Sequence, residues 1–496
     1  MLFLGFSAGL PILLIFSSLS IWLREAEVSR SAVTYFSWAA LGYSFKFVWA
    51  PLVDRLQIPL LGAWLGRRRS WILLSQLAVI GSILWMSSVD PTSGEGALSA
   101  MALAAVALGF SSATQDIVID AYRIESAHID LQALMSSTYI AGYRIGMLVA
   151  GAGALYLADY FGTSMEQYQY SAWQFAYMGM AGFMFIGVAC TLTIEEPHAP
   201  TISKIDLNIS ELLRFLFLFV CIVIGFVTAY IFTGQFSSGA KDYLTELFSN
   251  KHLSGFLVSI SRLAAALGVA FAAAWLLKKS NIVDEETLET TYLAPVKDFF
   301  SRYGLKTAWL LLALISLYRI SDIVLGVISN VFYTDMGYEK AQIATIVKSF
   351  GLGMTLVGGF LGGLLAIRFG VMRILLLGAV LGAASNLLFM LLAGHNEPSH
   401  WGLVGVIAAD NLAAGLASAA FIAFLSALTN IKFTAIQYAI FSSLMTLIPK
   451  ILGGYSGSMV DAIGYPSFFM VSAILGLPAI FLILLARKKL NLSLPK

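Results

Sequence analysis

Long apolar runs broken by short polar stretches dominate this chain. About 20 apolar residues cross the hydrocarbon core of a bilayer as a helix. Runs of that kind fall near 2–23, 32–53, 71–89, 97–121, 133–158, 172–193, 211–234, 254–277, 307–332, 341–366, 372–393, 402–428, 434–460 and 466–486, which predicts about 14 membrane-spanning helices. The alternating segments of a barrel, each about ten residues long, are not present, and backbone groups in lipid must bond internally, so the spans are helices. The first run follows Met1 without a basic leader or a small-residue cleavage site, and it reads as a span instead of a signal peptide.

The polar breaks orient these spans. With the start of the first span in the cytoplasm, eighteen Lys and Arg fall in inside loops and only five, Arg24, Arg30, Lys241, Lys251 and Lys340, fall outside. Cations accumulate in cytoplasmic loops, so both termini are expected there. A repeat is also visible: "GAGALYLADYFGTS" and "GGYSGSMVDAIGYPS" each lead from small residues through Asp159 or Asp461 to an aromatic-glycine turn. The expected organisation is a six-helix bundle over 1–195, a middle segment over 196–304 carrying two inserted spans near 211–234 and 254–277, and a second six-helix bundle over 305–496. The middle segment also carries a short amphipathic helix near 293–300.

Composition agrees with this pattern. The 496 residues are 59% hydrophobic and 12% charged, against about 25% charged in soluble domains. A net charge of +2 gives no reason to expect nucleic acid. Cys190 and Cys221 both lie in expected spans, so neither a disulfide framework nor a cysteine metal site is available. The sequence contains no H-E-x-x-H, G-x-S-x-G or P-loop, which argues against an enzyme. A receptor or scaffold has no need to bury so many charges.

Those charges carry the candidate chemistry. "TQDIVID" puts Asp116 and Asp120 four residues apart on one helix face, with Arg123 three further on. Asp120, nearer the inner surface, is expected to pair with a cation, whereas the deeper Asp116 suits a carboxylate that gains and loses a proton. Asp410 is the second proton candidate, and Asp322, beside Arg319 in "YRISD", the third. Lys46, Arg144, Lys348 and Lys450 are intramembrane cations drawn from both halves; each costs at least about 2.5 kcal/mol, which an anionic solute would offset. Gln115, Tyr139, Tyr143, Arg319, Asn411 and Gln437, with Tyr43, Tyr318, Asn330, Asn386 and Tyr438 as further candidates, complete an expected cavity in which aromatic faces stack on sugars and amides meet hydroxyls. Asp54, Arg55, Arg67, Arg68 and Arg69, together with Asp120, are expected to latch the two bundles at the cytoplasmic surface. The small-x-x-x-small pairs Gly142/Gly146, Gly358/Gly362, Gly359/Gly363 and Gly453/Gly457 suit helix faces that slide.

The segments "GFSAGLPILL", "FKFVWAPLVDR", "GRRRSW", "ATQDIVIDAYR", "GYRIGML", "PVKDFFSR", "YRISD" and "DNLAAG" together resemble the AmpG-type muropeptide permeases of the major facilitator superfamily. The loop after the second span departs from the superfamily's general signature in its length, and the two inserted spans depart from a simple twelve-span plan. The resemblance implies a multi-pass protein of the bacterial inner membrane, monomeric, with the lipid bilayer as its surroundings. It implies proton-driven import of sugar-peptide fragments, N-acetylglucosaminyl-anhydro-N-acetylmuramyl peptides, for cell-wall recycling, and an indirect part in β-lactamase induction. It implies no cofactor beyond the proton gradient and no metal. Acetyl-coenzyme A transporters are similar in the same stretches, so another anionic metabolite is the alternative cargo.

Overall fold

The computed structural model describes all residues except 16, 29–42, 44–45, 129–130, 165–166, 198–208, 249–250, 280–288, 290–292, 340–341, 396, 454–455 and 490–496; the side chains of Arg55, Asn330, Lys450 and some other helical residues also lie outside the described set. All regular structure among the described residues is helical. The first half contains α1 (Leu2–Ile15), α2 (Arg67–Ser87), α3 (Glu95–Ser126), α4 (Gln132–Leu148) and α5 (Tyr170–Thr193). Then come α6 (Ile209–Gln235), α7 (Lys251–Lys279) and a short α8 (Ala294–Tyr303). The second half contains α9 (Leu305–Leu317), α10 (Ile320–Asp335), α11 (Gly351–Phe369), α12 (Val371–Ala393), α13 (His400–Leu428), α14 (Thr434–Gly453), α15 (Ser456–Leu475) and α16 (Leu477–Lys489).

Among the described residues 12 helices are long and apolar enough to cross a membrane, which corrects the expected count of about fourteen. The difference has two sources. Most of 32–53 lies outside the described residues. In α7 the apolar stretch among the described residues is Ala264–Leu277, shorter than a span.

Small residues decide how closely the helices approach. α1 and α4 interlock: a Cβ added at Gly5 or Gly9 would collide with the Tyr139 or Tyr143 carbonyl, and one at Gly142 or Gly146 with the Leu2 or Phe6 carbonyl. α11 and α13 interlock likewise, Gly358 against the Leu412 carbonyl and Gly415 against the Thr355 carbonyl. Gly142/Gly146 and Gly358/Gly362 therefore lock helices within one half instead of sliding between halves. Gly359 and Gly363 lie on the interface: Ser137 Oγ donates to the Gly359 carbonyl at 2.7 Å, and Gly363 abuts Ala133 and Ser137. Gly457 approaches only Ile328.

The buried apolar residues show where the halves join. The face carrying Arg67 to Arg69, Arg123, Arg302 and Arg368 is called here the basic face. Near it, one cluster mixes Ile124 and Ala133 of the first half with Phe299, Phe421 and Phe441, and another mixes Trp49, Ile117 and Tyr139 with Ala435, Ile436 and Ala439 of the second. Toward the far face the clusters separate, one around Trp22, Trp173 and Tyr177 and one around Phe332, Phe389 and Phe469. Among the described residues, the halves are fused at the basic face and hold separate cores at the other. α6 and α7 pack on each other, and Phe219 of α6 rests its ring edge on Trp49, 6.4 Å between centroids.

Candidate functional site

Three groups of polar residues sit along the seam, and the first closes the basic face. Asp54 lies in the last turn of the short helix Ala50–Arg55. Its carboxylate accepts from the backbone N–H groups of Ala435 (3.1 Å) and Ile436 (3.0 Å), in the first turn of α14. Free N–H groups and the positive end of the helix dipole both favour an anion there. The fully buried Arg68 donates to Asp54 at 2.7 Å, to both Glu125 oxygens at 2.5 and 2.9 Å, and to the Val53 carbonyl at 3.0 Å. Arg67 donates to the Asp54 carbonyl at 2.8 Å and reaches Glu125 at 3.4 Å. The Glu196 carboxylate accepts the backbone N–H groups of Arg68 and Arg69, capping α2. Arg69 turns the other way and donates to the Thr191 and Leu192 carbonyls at the end of α5. Asp54 thus crosses between halves, Arg67 and Arg68 hold it in place, and Arg69 remains within the first half; the Arg55 side chain lies outside the described residues.

Beside this group, Arg123 is a second cross-tie. It donates to Gln132, Ser136 and, across the seam, Ser426 at 2.9 Å. It also lies 3.4 Å from Asp120 and packs over the Tyr438 ring. α8 braces the same face: Gln437 donates to the Pro295 carbonyl and to Asp298, and accepts from Arg302 and from the Asn430 backbone. Gln437 is thereby committed to the linker helix.

The second group lies inside the first half. Lys46, in a tight turn over Lys46–Val48, places Nζ 3.9 Å from Asp120, so this cation is paired. Asp116 is buried one turn deeper with Oδ1 free of any hydrogen bond. Its neighbours are Lys46, Asp120 and the Tyr139 hydroxyl. The Tyr139 and Tyr143 rings lie 6.0 Å apart beside it, and Tyr43 donates to Ser112. Gln115 points toward α1, donating to Ser7 at 2.9 Å.

The third group belongs to the second half, at the turn of Tyr318 and Arg319 where α9 runs on into α10. Arg319 donates to Asp322 at 2.5 Å and to Ser418 at 2.9 Å, leaving Nε without a partner. Arg144 is brought opposite this pair across the seam: its charged neighbours are Arg319 and Asp322, with Tyr143 next to it. Arg144 is exposed to the space between the halves, and no carboxylate among the described residues forms an ion pair with it. Asp410 accepts from Ser385 at 2.9 Å, with Asp322 and Tyr333 close by. Asn411 accepts from Thr355 at 2.9 Å and so serves the α11–α13 contact. Lys348 is exposed on a π-helical stretch, Ile343–Phe350. Lys450 lies outside the described side chains.

The seam therefore brings together Arg144, Arg319, Asp322 and Tyr143, with Tyr139, Asp116, Asp120 and Lys46 behind them, while Gln115, Asn411 and Gln437 are engaged elsewhere. Glu125, Glu196 and Ser426 are not among the sequence candidates, and Arg123 stands there only beside Asp120. Their one signal is arithmetic: three consecutive arginines at a buried edge require acids, and Glu125 and Glu196 are the nearest at inward ends of spans.

Comparison with known proteins follows from this geometry. The sequence pattern of the Major Facilitator Superfamily matches residues 1–294 and 301–495. A Rickettsia felis protein carrying an AmpG 4 transporter name is 31% identical over 98% of this chain and 96% of its own length. The anhydromuropeptide permease of Escherichia coli K12 is 27% identical over 99% of this chain and 80% of its own. Among solved structures, the proton:xylose symporter XylE is 12% identical with a TM-score of 0.59, covering 97% of this chain and 92% of that one. FucP in the outward conformation is 11% identical with a TM-score of 0.58, covering 98% and 97%. At those identities the two structures establish the fold alone.

Proposed function

Since this chain belongs to the Major Facilitator Superfamily and, within it, to the AmpG-type transporters, we propose that it imports anhydromuropeptides across the bacterial inner membrane by proton-coupled alternating access. It is a multi-pass membrane transporter and not an enzyme. In this reading the basic face is cytoplasmic, both termini lie there, and cargo enters from the periplasm for peptidoglycan recycling, with β-lactamase induction as a downstream consequence.

The observation that carries the reading is the pairing across the seam: an uncompensated Arg144 opposite an Arg319–Asp322 pair, with tyrosines beside it. Excess positive charge receives an anionic peptide, and the Tyr139 and Tyr143 rings receive sugar faces. Asp116 and Asp410 carry the protons, because neither has a direct cation contact among the described residues. Asp322 is held by Arg319. Protonation of Asp116 removes its repulsion of Asp120 and leaves Lys46 to Asp120 alone, and Asp120 also holds Arg123, the residue that reaches Ser426 across the seam. The closed basic face corresponds to the state open to the periplasm.

The test is uptake of radiolabelled anhydromuropeptide into proteoliposomes under an imposed proton gradient. Accumulation above equilibrium that an uncoupler collapses is expected. Uptake indifferent to the uncoupler would remove the coupling, and uptake of acetyl-coenzyme A in place of muropeptide would move the protein to the alternative cargo.

A further inference from the structure

The segment "PVKDFFSR", which forms most of α8, presents one organised face. Pro295, Asp298, Phe299 and Arg302 recur at i, i+3, i+4 and i+7, one side of the helix. That side grips the start of α14. The Phe299 ring packs on Phe441, 5.2 Å between centroids. The Asp298 carboxylate accepts from Asn430 Nδ2 at 3.0 Å, from Gln437 Nε2 at 2.9 Å and from Arg302 Nε at 2.9 Å. Gln437 also donates to the Pro295 carbonyl at 2.8 Å, and its Oε1 accepts from the Asn430 backbone N–H at 2.8 Å and from Arg302 at 3.0 Å. Arg302 holds the Leu428 carbonyl at the end of α13 as well.

These contacts fall on the back of α14. Gln437 and Phe441 are four apart and share one side of that helix, whereas Ala435 and Ala439 share the opposite side. Ala435 and Ala439 are buried in the cluster that holds Trp49, Ile117 and Tyr139 of the first half. The turn that Gln437 pins is the turn whose Ala435 and Ile436 N–H groups receive Asp54. Helix ends fray when their N–H groups lack partners. Donors fixed in place beforehand bind an anion without that ordering cost.

We propose that Asp298 is a positioning residue of the basic-face joint: through Gln437 it fixes the first turn of α14, so that Ala435 and Ile436 present their N–H groups to Asp54 each time the face closes. This role rests on the alternating-access reading, in which that face opens and closes. The middle segment then does more than connect the halves, because its last helix sets the strength of the contact between them.

The experiment reads how often the basic face opens. Ala439→Cys, at a buried position beneath that face, is placed in full-length protein lacking Cys190 and Cys221. A membrane-impermeant maleimide is added to inverted membrane vesicles, in which the basic face meets the reagent. Adding Asp298→Ala is expected to speed labelling about fivefold. Adding Asp54→Asn does the same, and the two together again give about fivefold instead of the product of about twenty-fivefold, because both changes remove one contact. Gln437→Met, which keeps the side chain's length and loses its hydrogen bonds, is expected to repeat both results and stands in if Asp298→Ala does not reach the membrane. A rate that both Asp298→Ala and Gln437→Met leave unchanged overturns the positioning role. So does the full product in the double variant, which would make α8 a general brace of the second half. If Ala439→Cys labels in no variant, Asp54→Asn included, the basic face does not open, and the alternating-access reading falls together with the positioning role.

Discussion

The two halves hold their charges differently. In the first, Asp116, Asp120, Lys46 and Arg123 are all buried, and Asp120 is shared between two cations, one of which reaches across the seam to Ser426. In the second, the Arg319 and Asp322 side chains are about a quarter exposed, and Asp410 has a hydroxyl for its partner. A buried, shared network changes the joint between halves when one proton moves, whereas a reachable pair can exchange partners with a ligand. The difference teaches a division of labour: the first half couples and the second binds.

Mutations can break or sharpen this contrast. The largest effect is expected from Arg68→Ala, which leaves Asp54 and Glu125 buried without their cation and costs about 3–5 kcal/mol. Arg319→Ala, at a half-buried pair, costs less, about 1–2 kcal/mol. Thermal unfolding in detergent compares the two; equal losses would erase the distinction between buried and reachable charge. Next, Asp116→Asn is expected to reduce gradient-driven accumulation to the level of empty vesicles while counterflow exchange continues. Uphill transport that survives would take Asp116 out of the proton path.

Smaller effects sharpen the picture. Arg144→Ala removes the unpaired cation facing Arg319 and is expected to weaken peptide-bearing cargo roughly tenfold, the value of a charged hydrogen bond, and peptide-free cargo less. Competition binding reads this directly; identical losses would say that Arg144 does not sense the peptide. The smallest is Asp54→Asn, which keeps one acceptor at the start of α14 but loses the charge, a change of about 1 kcal/mol or roughly fivefold in an equilibrium. Labelling of Ser426→Cys in a background lacking Cys190 and Cys221 should accelerate by that factor as the basic face opens more often. An unchanged rate would mean that Asp54 does not hold the closed state.

Asp116 and Asp120 were placed on one face by their spacing alone, and the Arg319–Asp322 pair by theirs, because neighbours three or four apart meet on any helix. Lys46 looked unpaired because its partner Asp120 is 74 positions away along the chain, and Gln437 looked like a cavity residue because nothing local ties it to Pro295 and Asp298.

By itself, then, the sequence determined the helices, their approximate boundaries and the two-bundle plan, since apolar length in a bilayer admits few alternatives. It also determined which charges would be costly to bury. Only the tertiary structure decided which of them meet. Asp54 finds the start of α14 from the other half of the chain, Arg68 gathers Asp54 and Glu125, and Arg144 comes to face Arg319. The physical reason is range: hydropathy is a sum over neighbours along the chain, whereas the pairing of buried charges depends on how separate helices are rotated and stacked against one another.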